Sequence, residues 1–441
     1  MSAEKVSSQY PELYADAETI CAGQSVAWLQ TLREQAVAQF AEQGFPSLRD
    51  EEWRYTNVAA IEKKRFSPVS HADIGAVELA SLEQYLLADT WAVVLVDGHF
   101  SAALSKLDGL PESVTVTNMA GALESQADLV EQYFAQAVNT TEQGFSAFNA
   151  AWFSDGVFIH LPAKEVLAKT IQIVHVVTQA EFMANTRHII ALEQSAEAKI
   201  VESFIGCDEA YCTAAVNEVF LAKNADLTLY KLQLEGVKAY HFGGTYVKQA
   251  RDSRFTHHNF AFGALLARSD VHTDLQQAAE CDLNGLSLAE KRQHIDNHTR
   301  INHLEPHATS RELYKSVLNH RARVVFQGRV LVAEQAQKTD SDMHNHNLLL
   351  SDDAEADAKP QLEIYADDVK CAHGVTVGQL DEQAIFYLQS RCVDVATAKN
   401  MLTFAFANEM VERIKLKPLH DQVLAQLLQH FPQAGVEQDW L

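Results

Sequence analysis

The chain has 441 residues, with 35 basic and 59 acidic side chains (net charge −24), 47% apolar and 21% charged residues. That length allows two or three domains of ~150 residues each, and the composition can bury a core. The acidity argues against the clustered Lys and Arg of a nucleic-acid binder, and no apolar run approaches the ~20 residues of a membrane helix.

The polar start, Met1 to Tyr10, carries no secretory apolar core. Six scattered cysteines (Cys21, Cys207, Cys212, Cys281, Cys371 and Cys392) lack the spacing of a disulfide framework, so a cytoplasmic protein with reduced thiols is expected. Residues 1–90 read as a helical region. Leu29, Leu32, Ala36 and Phe40 share one helix face, and Gly44 with Pro46 ends that helix. The segment Asp50-Glu-Glu-Trp-Arg-Tyr-Thr56 reads as a short helix or turn whose Trp53 and Tyr55 are packing residues.

Residues 91–378 read as strands. Val93 to Val96, Ile171 to Val177, Ile200 to Ile205 and Leu227 to Leu234 are rich in β-branched and aliphatic residues, separated by short polar turns. Five strand-like stretches open on a small residue, at Ala198, Ala225, Ser253, Cys281 and Ala308, with successive steps of 27, 28, 28 and 27 residues. A near-constant step without helices points to the coils of a β-solenoid, with a β-sandwich as the alternative. The acidic run Ser351 to Asp357, ahead of Pro360, reads as a solvated loop.

Residues 379–441 read as helical again. Asp381 can cap a helix through Arg391, and Val395, Ala398, Leu402, Ala405 and Ile414 line a longer one. Pro418 breaks it, and Val423, Leu424, Leu427, Leu428 and Phe431 form a third stripe. Helices at both ends would cover the open edges of a solenoid or offer docking surfaces.

Enzyme signatures are sparse. No Gly-x-x-x-x-Gly-Lys-Ser/Thr loop precedes a helix, so no phosphate cradle for ATP is present, and neither Gly-x-Ser-x-Gly nor His-Glu-x-x-His occurs. His294 and His298 have metal-ligand spacing only on a helix, which Asp296, Asn297 and Thr299 disfavour. His257, His258, His303, His307 and His320 read as polar turn or ladder residues. On a strand, His344 and His346 share a face, as do Asp340 and Asp342, which leaves a metal or acid–base cluster open there. Cys371 and His373, if extended, point to one side, and thiolate with imidazole suits iron or zinc. The same pair also fits an ordinary strand-end Cys beside a solvated His. An iron–sulfur cluster normally takes four protein ligands, so two would hold one only transiently or with a second chain.

The segment Tyr365-Ala-Asp-Asp-Val-Lys-Cys-Ala-His-Gly374, with Gln383-Ala-Ile-Phe-Tyr-Leu-Gln-Ser-Arg391, resembles the SufB/SufD superfamily. Lys338 to Leu350 and Trp53-Arg-Tyr-Thr56 resemble the same family, and Glu52 to Thr56 with the modest length resembles its SufD branch. The resemblance implies a right-handed parallel β-helix between two helical regions. It further implies a non-catalytic scaffold of iron–sulfur cluster assembly, paired with SufB through the β-helix and with the ATPase SufC through the C-terminal helices. A homodimer in isolation is a further expectation. Sulfur would reach SufB by way of SufE, and a transient cluster would form at the SufB interface, where Cys371 and His373 lie by analogy. ATP would be bound by SufC rather than this chain, and reduced flavin stays unassigned. The alternative is a β-helix polysaccharide lyase or hydrolase using Asp340, Asp342, Asp367 and Asp368.

Overall fold

The computed structural model describes residues 10–14, 21–68, 77, 79–138 and 144–431; the polar stretch 1–9 lies outside them. Near the N-terminus, helix Ala27–Gln43 buries Leu29, Ala36 and Phe40 along one face, and Gly44 (φ 64°) ends it in a left-handed conformation that glycine tolerates. Leu32 packs at the margin of the same cluster. This helix lies against a second, Gly144–Trp152, through ring contacts of Phe40 with Phe148 and Trp152.

Helices Met119–Ser125, Ala127–Glu131 and Gly144–Trp152 fall inside the stretch read as strands. In the last of these every residue is buried, Ser146 and Asn149 included, so its sequence has no charged, solvated face to mark the helical period. The regular coils therefore follow this mixed N-terminal region.

From Val157–Leu161 to Lys370–Gly378 the chain winds as a β-solenoid of about eight coils. Strands alternate between a ten-stranded and a nine-stranded sheet, and each pairs in parallel with the strand one coil away. The ladder Glu197↔Asp226↔Arg254↔Glu280↔Thr309↔Asp340↔Lys370 gives the register in one sheet. Successive coils share one corner: Ala196, Ala225, Ser253, Ala279, Ala308 and Thr339 are all buried there. The expected corners Ala198 and Cys281 lie two residues further on, within strands. Alternate residues share a face, so a small residue two places along mimics the corner.

The residue before each corner has positive φ: Ser195, Asn224, Asp252, Ala278, His307 and Lys338. None is glycine. Each of their N–H groups donates to a carbonyl of the next coil, as in Asn224 to Arg251 and His307 to Gln337, which offsets the backbone strain. These bonds lock the turns into a stack.

Between the sheets, Ile171, Ile200, Leu227, Leu229, Phe255, Cys281 and Leu283 form a dry core. At about 0.8 kcal/mol per buried CH₂, this aliphatic stack is the main stabiliser. The outer face of the ten-stranded sheet is covered by helices Val395–Val411 and Lys417–His430, whose Phe404, Ala407, Met410, Val423 and Leu427 meet Tyr230, Phe260 and Leu286. Of the expected stripe, Ala398 and Ile414 are buried, but Val395 and Ala405 are exposed and Leu402 is half-buried; the helix instead buries Thr403, Phe404, Ala407, Met410 and Val411 beside Ala398. Pro418 sits in the first turn of the last helix, where its missing N–H costs nothing.

The acidic run is only partly a loop. Glu355, Ala356 and Asp357 begin strand Glu355–Ile364, because Arg323 one coil back neutralises Asp357 at 2.6 Å. Pro360 lies within that strand, which ends its sheet and so tolerates a missing donor.

Candidate functional site

Strands Glu355–Ile364 and Lys370–Gly378 are the last of their sheets, so each has one edge without a strand partner among the described residues. Ile364, Tyr365, Val375 and Val377 are exposed there. Sequence alternation places Cys371 and His373 on the inner face of the final strand. Cys371 continues the ladder Phe255–Cys281–Ser310–Ser341, and His373 continues His257–Leu283–Glu312–Met343. The thiol is half-buried against the core while His373 is exposed. Burial and then the Asp340 carboxylate push the Cys371 thiol up, partly opposed by the Ser341 N–H, so it is protonated near neutral pH until something replaces the proton. Behind it, Ser310 donates to Ser341 at 2.9 Å and pairs with buried His303 at 2.9 Å. The expected one-sided placement of Cys371 and His373 therefore holds in the strand register, and no third metal-type side chain gathers with them among the described residues.

The group that does gather is His175, His188 and Glu202, inside the solenoid. Burial alone would raise the Glu202 carboxyl. The hydrogen bond and charge of His175, with His188 and Lys231, outweigh it and hold the carboxyl at about 2. Asn217 also donates to it, at 2.8 Å. The Nδ1 of His188 accepts the Val157 N–H at 3.0 Å, so the neutral ring carries its proton on Nε2, the atom that faces Glu202. A metal-binding His needs a lone pair on that atom and normally donates from its other nitrogen. The cluster is thus a hydrogen-bonded buried carboxylate. Lys231 and the pair Glu235–His241 (2.7 Å) extend it, and burial lowers the Lys231 ammonium. Sequence reasoning missed this interior; its signal is charge at inward positions, as in Ile200-Val-Glu202.

His294 and His298 lie on strand His294–His303, outward, as the non-helical reading requires. Asp296 between them takes His298 Nε2 at 2.9 Å and the Thr56 hydroxyl at 2.5 Å. Thr56 belongs to the Asp50–Thr56 segment, whose short helix Glu51–Trp53 lies on the nine-stranded sheet. The Trp53 ring covers the buried Arg268 guanidinium at 3.6 Å, and Arg268 bonds the Glu52 carbonyl at 2.6 Å. Packing is therefore the role of Trp53, though with a cation rather than aliphatics. The carboxylates of the hydrolase alternative do not converge: Asp340 pairs with Arg311, Asp342 with His344 and Asp368 with Lys338. Beyond the solenoid, Asp381 caps helix Glu382–Gln389, as expected, and that helix buries no residue.

Comparison with known families decides the wider identity. The SUF system FeS cluster assembly, SufBD core domain, matches residues 175–406, and the SufBD protein N-terminal region matches residues 4–173. The chain belongs to the SufBD family. It is 32% identical to the iron-sulfur cluster assembly protein SufD of Escherichia coli, over 90% of this chain and 92% of that protein. It is 29% identical to an iron-sulfur cluster assembly SufBD family protein of Synechocystis, over 90% and 93% of the two chains. SufD of Bacillus subtilis is 24% identical over 91% and 94%. The SufBD core match spans both the interior charge cluster and the open end with Cys371 and His373. No helix among the described residues is long and apolar enough to cross a membrane.

Proposed function

We propose that this SufBD protein is a SufD-type scaffold subunit, non-catalytic and cytoplasmic, that pairs with SufB through the open end of its solenoid. The observation that carries this reading is the terminal coil, unpaired among the described residues, presenting Cys371 and His373 with no third metal-type side chain gathered beside them there. A second β-helix laid against that edge would extend both sheets by backbone hydrogen bonds and add the missing ligands. The nascent iron–sulfur cluster is cargo here: Cys371 supplies a thiolate once iron displaces its proton, and His373 a weaker nitrogen ligand that favours release.

The ATPase SufC is the proposed second partner. Helices Val395–Val411 and Lys417–His430 are occupied in covering the sheet, whereas helix Glu382–Gln389 exposes Phe386 (70%) and Tyr387 (56%). That helix is the better docking surface. In cells dependent on the Suf pathway, C371A/H373A should retain SufB and SufC on co-purification yet carry less cluster and fail to restore growth. Full cluster loading and growth with the double variant would overturn the assignment of the site.

A further inference from the structure

On the outer surface of the early coils, where strands Met183–Leu192, Cys212–Leu221 and Tyr240–Gln249 end, lies a cleft of about 290 Å³. Tyr133, just past helix Ala127–Glu131, forms one wall with Phe220; both are half-buried, with ring centroids 5.0 Å apart and planes tilted by 49°. Leu304, Ala222 and Ala250 make the rest of the lining largely apolar. Two carboxylates break it. Asp274 is already held, by Lys248 and by the Asn302 amide at 2.6 Å. Glu193 is less committed: the Tyr133 hydroxyl donates to its Oε1 at 2.9 Å and His160 Nε2 lies 3.5 Å from the same oxygen. Oε2 takes no hydrogen bond or ion pair among the described residues, and the Glu193 side chain is 41% exposed.

We infer that this cleft receives an arginine side chain of a basic protein partner, with the guanidinium against the Tyr133 and Phe220 rings and bonded to Glu193. The volume decides against a whole small-molecule ligand, whose pockets run from about 300 to 1,000 Å³, and suits one anchoring side chain entering from solvent. The chemistry decides for arginine. Its planar, weakly hydrated guanidinium lies well against aromatic faces and reaches a carboxylate at the same time, whereas an ammonium is compact and strongly hydrated. A neutral side chain of the same shape would leave the Glu193 carboxylate without its counter-charge. Lys248 does not oppose the guest, because Asp274 pairs with it. At net charge −24 the chain also draws basic segments toward itself before contact. The cleft precedes the terminal coil by several strands of its sheet, so it is independent of the role proposed for Cys371 and His373.

The test uses a trifluoroacetyl-capped tripeptide with arginine between two glycines, titrated with the full-length chain and followed by fluorine NMR relaxation. The wild type should bind it, and E193Q should bind it at least about tenfold more weakly, the usual effect of losing one charge-assisted hydrogen bond. A peptide with citrulline in place of arginine keeps the plane and size without the charge, and should lose as much with the wild type. F220A should weaken binding several-fold, while Y133F, which keeps the ring, should match the wild type. E209Q removes a carboxylate that pairs with Lys238 elsewhere on the surface, and should also match it. Circular dichroism and melting should be unchanged throughout, since these side chains are at least partly exposed. No binding by the wild type, or wild-type affinity in E193Q or for the citrulline peptide, overturns the site. Equal weakening in E209Q also overturns it, by reducing the binding to attraction between net charges.

Discussion

Replacing Arg268 by Met should release the Glu51–Thr56 segment from the nine-stranded sheet. Arg268 is buried, bonds Asp270 at 2.9 and 3.0 Å and Asp296 at 3.2 Å, holds the Glu52 carbonyl, and lies under Trp53. Met fills most of its volume, so the expected cost is electrostatic: two buried carboxylates lose their cation, a change of about 3–5 kcal/mol at neutral pH. Burial tends to raise both carboxyls, but in the native protein Arg268 holds Asp270 below the usual range, and His298 with Arg268 does so for Asp296. Depressed carboxyls stabilise the fold above their unfolded pKa of ~3.9 and lose that effect only as pH falls further. Without Arg268, burial leaves Asp270 raised in the fold, so the folded state takes up protons on acidification before the unfolded chain does. His298, whose own pKa is raised by Asp296 and Glu52 against burial and Arg268, is freed of the Arg268 charge in the variant and is largely charged by pH 7, so it compensates Asp296 across the whole range. The deficit of the variant should therefore shrink between pH 7 and pH 5, where the wild type is nearly flat in this respect. Thermal melting at both pH values, with limited proteolysis after Arg54, measures the global and local parts. A deficit that grows on acidification, or an unchanged cleavage rate at Arg54, would refute the reasoning.

Glu312 should show the pH behaviour opposite to that of the native Asp270 and Asp296. Its carboxyl is 3% exposed, and burial pushes it up to about 7, opposed only by the Thr299 hydroxyl. A raised carboxyl lowers stability as pH rises from its unfolded pKa of ~4.3 toward 7, by roughly 4 kcal/mol in all; E312Q should abolish that slope, and an unchanged pH–stability profile would contradict it. F386A/Y387A should weaken SufC capture in pull-downs with no change in melting, because neither side chain is buried; undiminished capture would move the docking surface elsewhere. Purified alone, the chain should hydrolyse no ATP, and turnover surviving repurification would count against the scaffold reading.

The solenoid was legible because its inward positions repeat aliphatic and small residues at coil spacing, and the left-handed turns recur just before Ala225, Ser253 and Ala308. The all-buried helix Gly144–Trp152 was not legible, since periodicity needs a polar face to contrast with. Nor was the Trp53–Arg268 contact, which joins residues far apart in the chain and leaves no local pattern. Cys371 and His373 stood out through spacing and family likeness, and alternation sufficed to put them on one face. Their isolation from other donors depends on which residues neighbouring coils bring close, which spacing alone does not encode.

The locked stack of turns also makes the solenoid a ruler. Between Ala198 and Cys371 lie six rungs, each ~4.8 Å, which sets the open end about 29 Å along the axis from that early coil. Because the turn residues Ser195, Asn224, Asp252, Ala278, His307 and Lys338 of one corner are each tied to the next coil, that distance can change only in whole steps. Removing one complete coil would shorten the reach by ~4.8 Å and keep every side chain on its own face. Removing a single residue within a strand would instead turn the rest of that strand inside out. Variation in length among such proteins should therefore collect in the turns or come as entire repeats, and the spacing between the helical N-terminal region and the terminal edge becomes a quantity that mutation can alter only in discrete units.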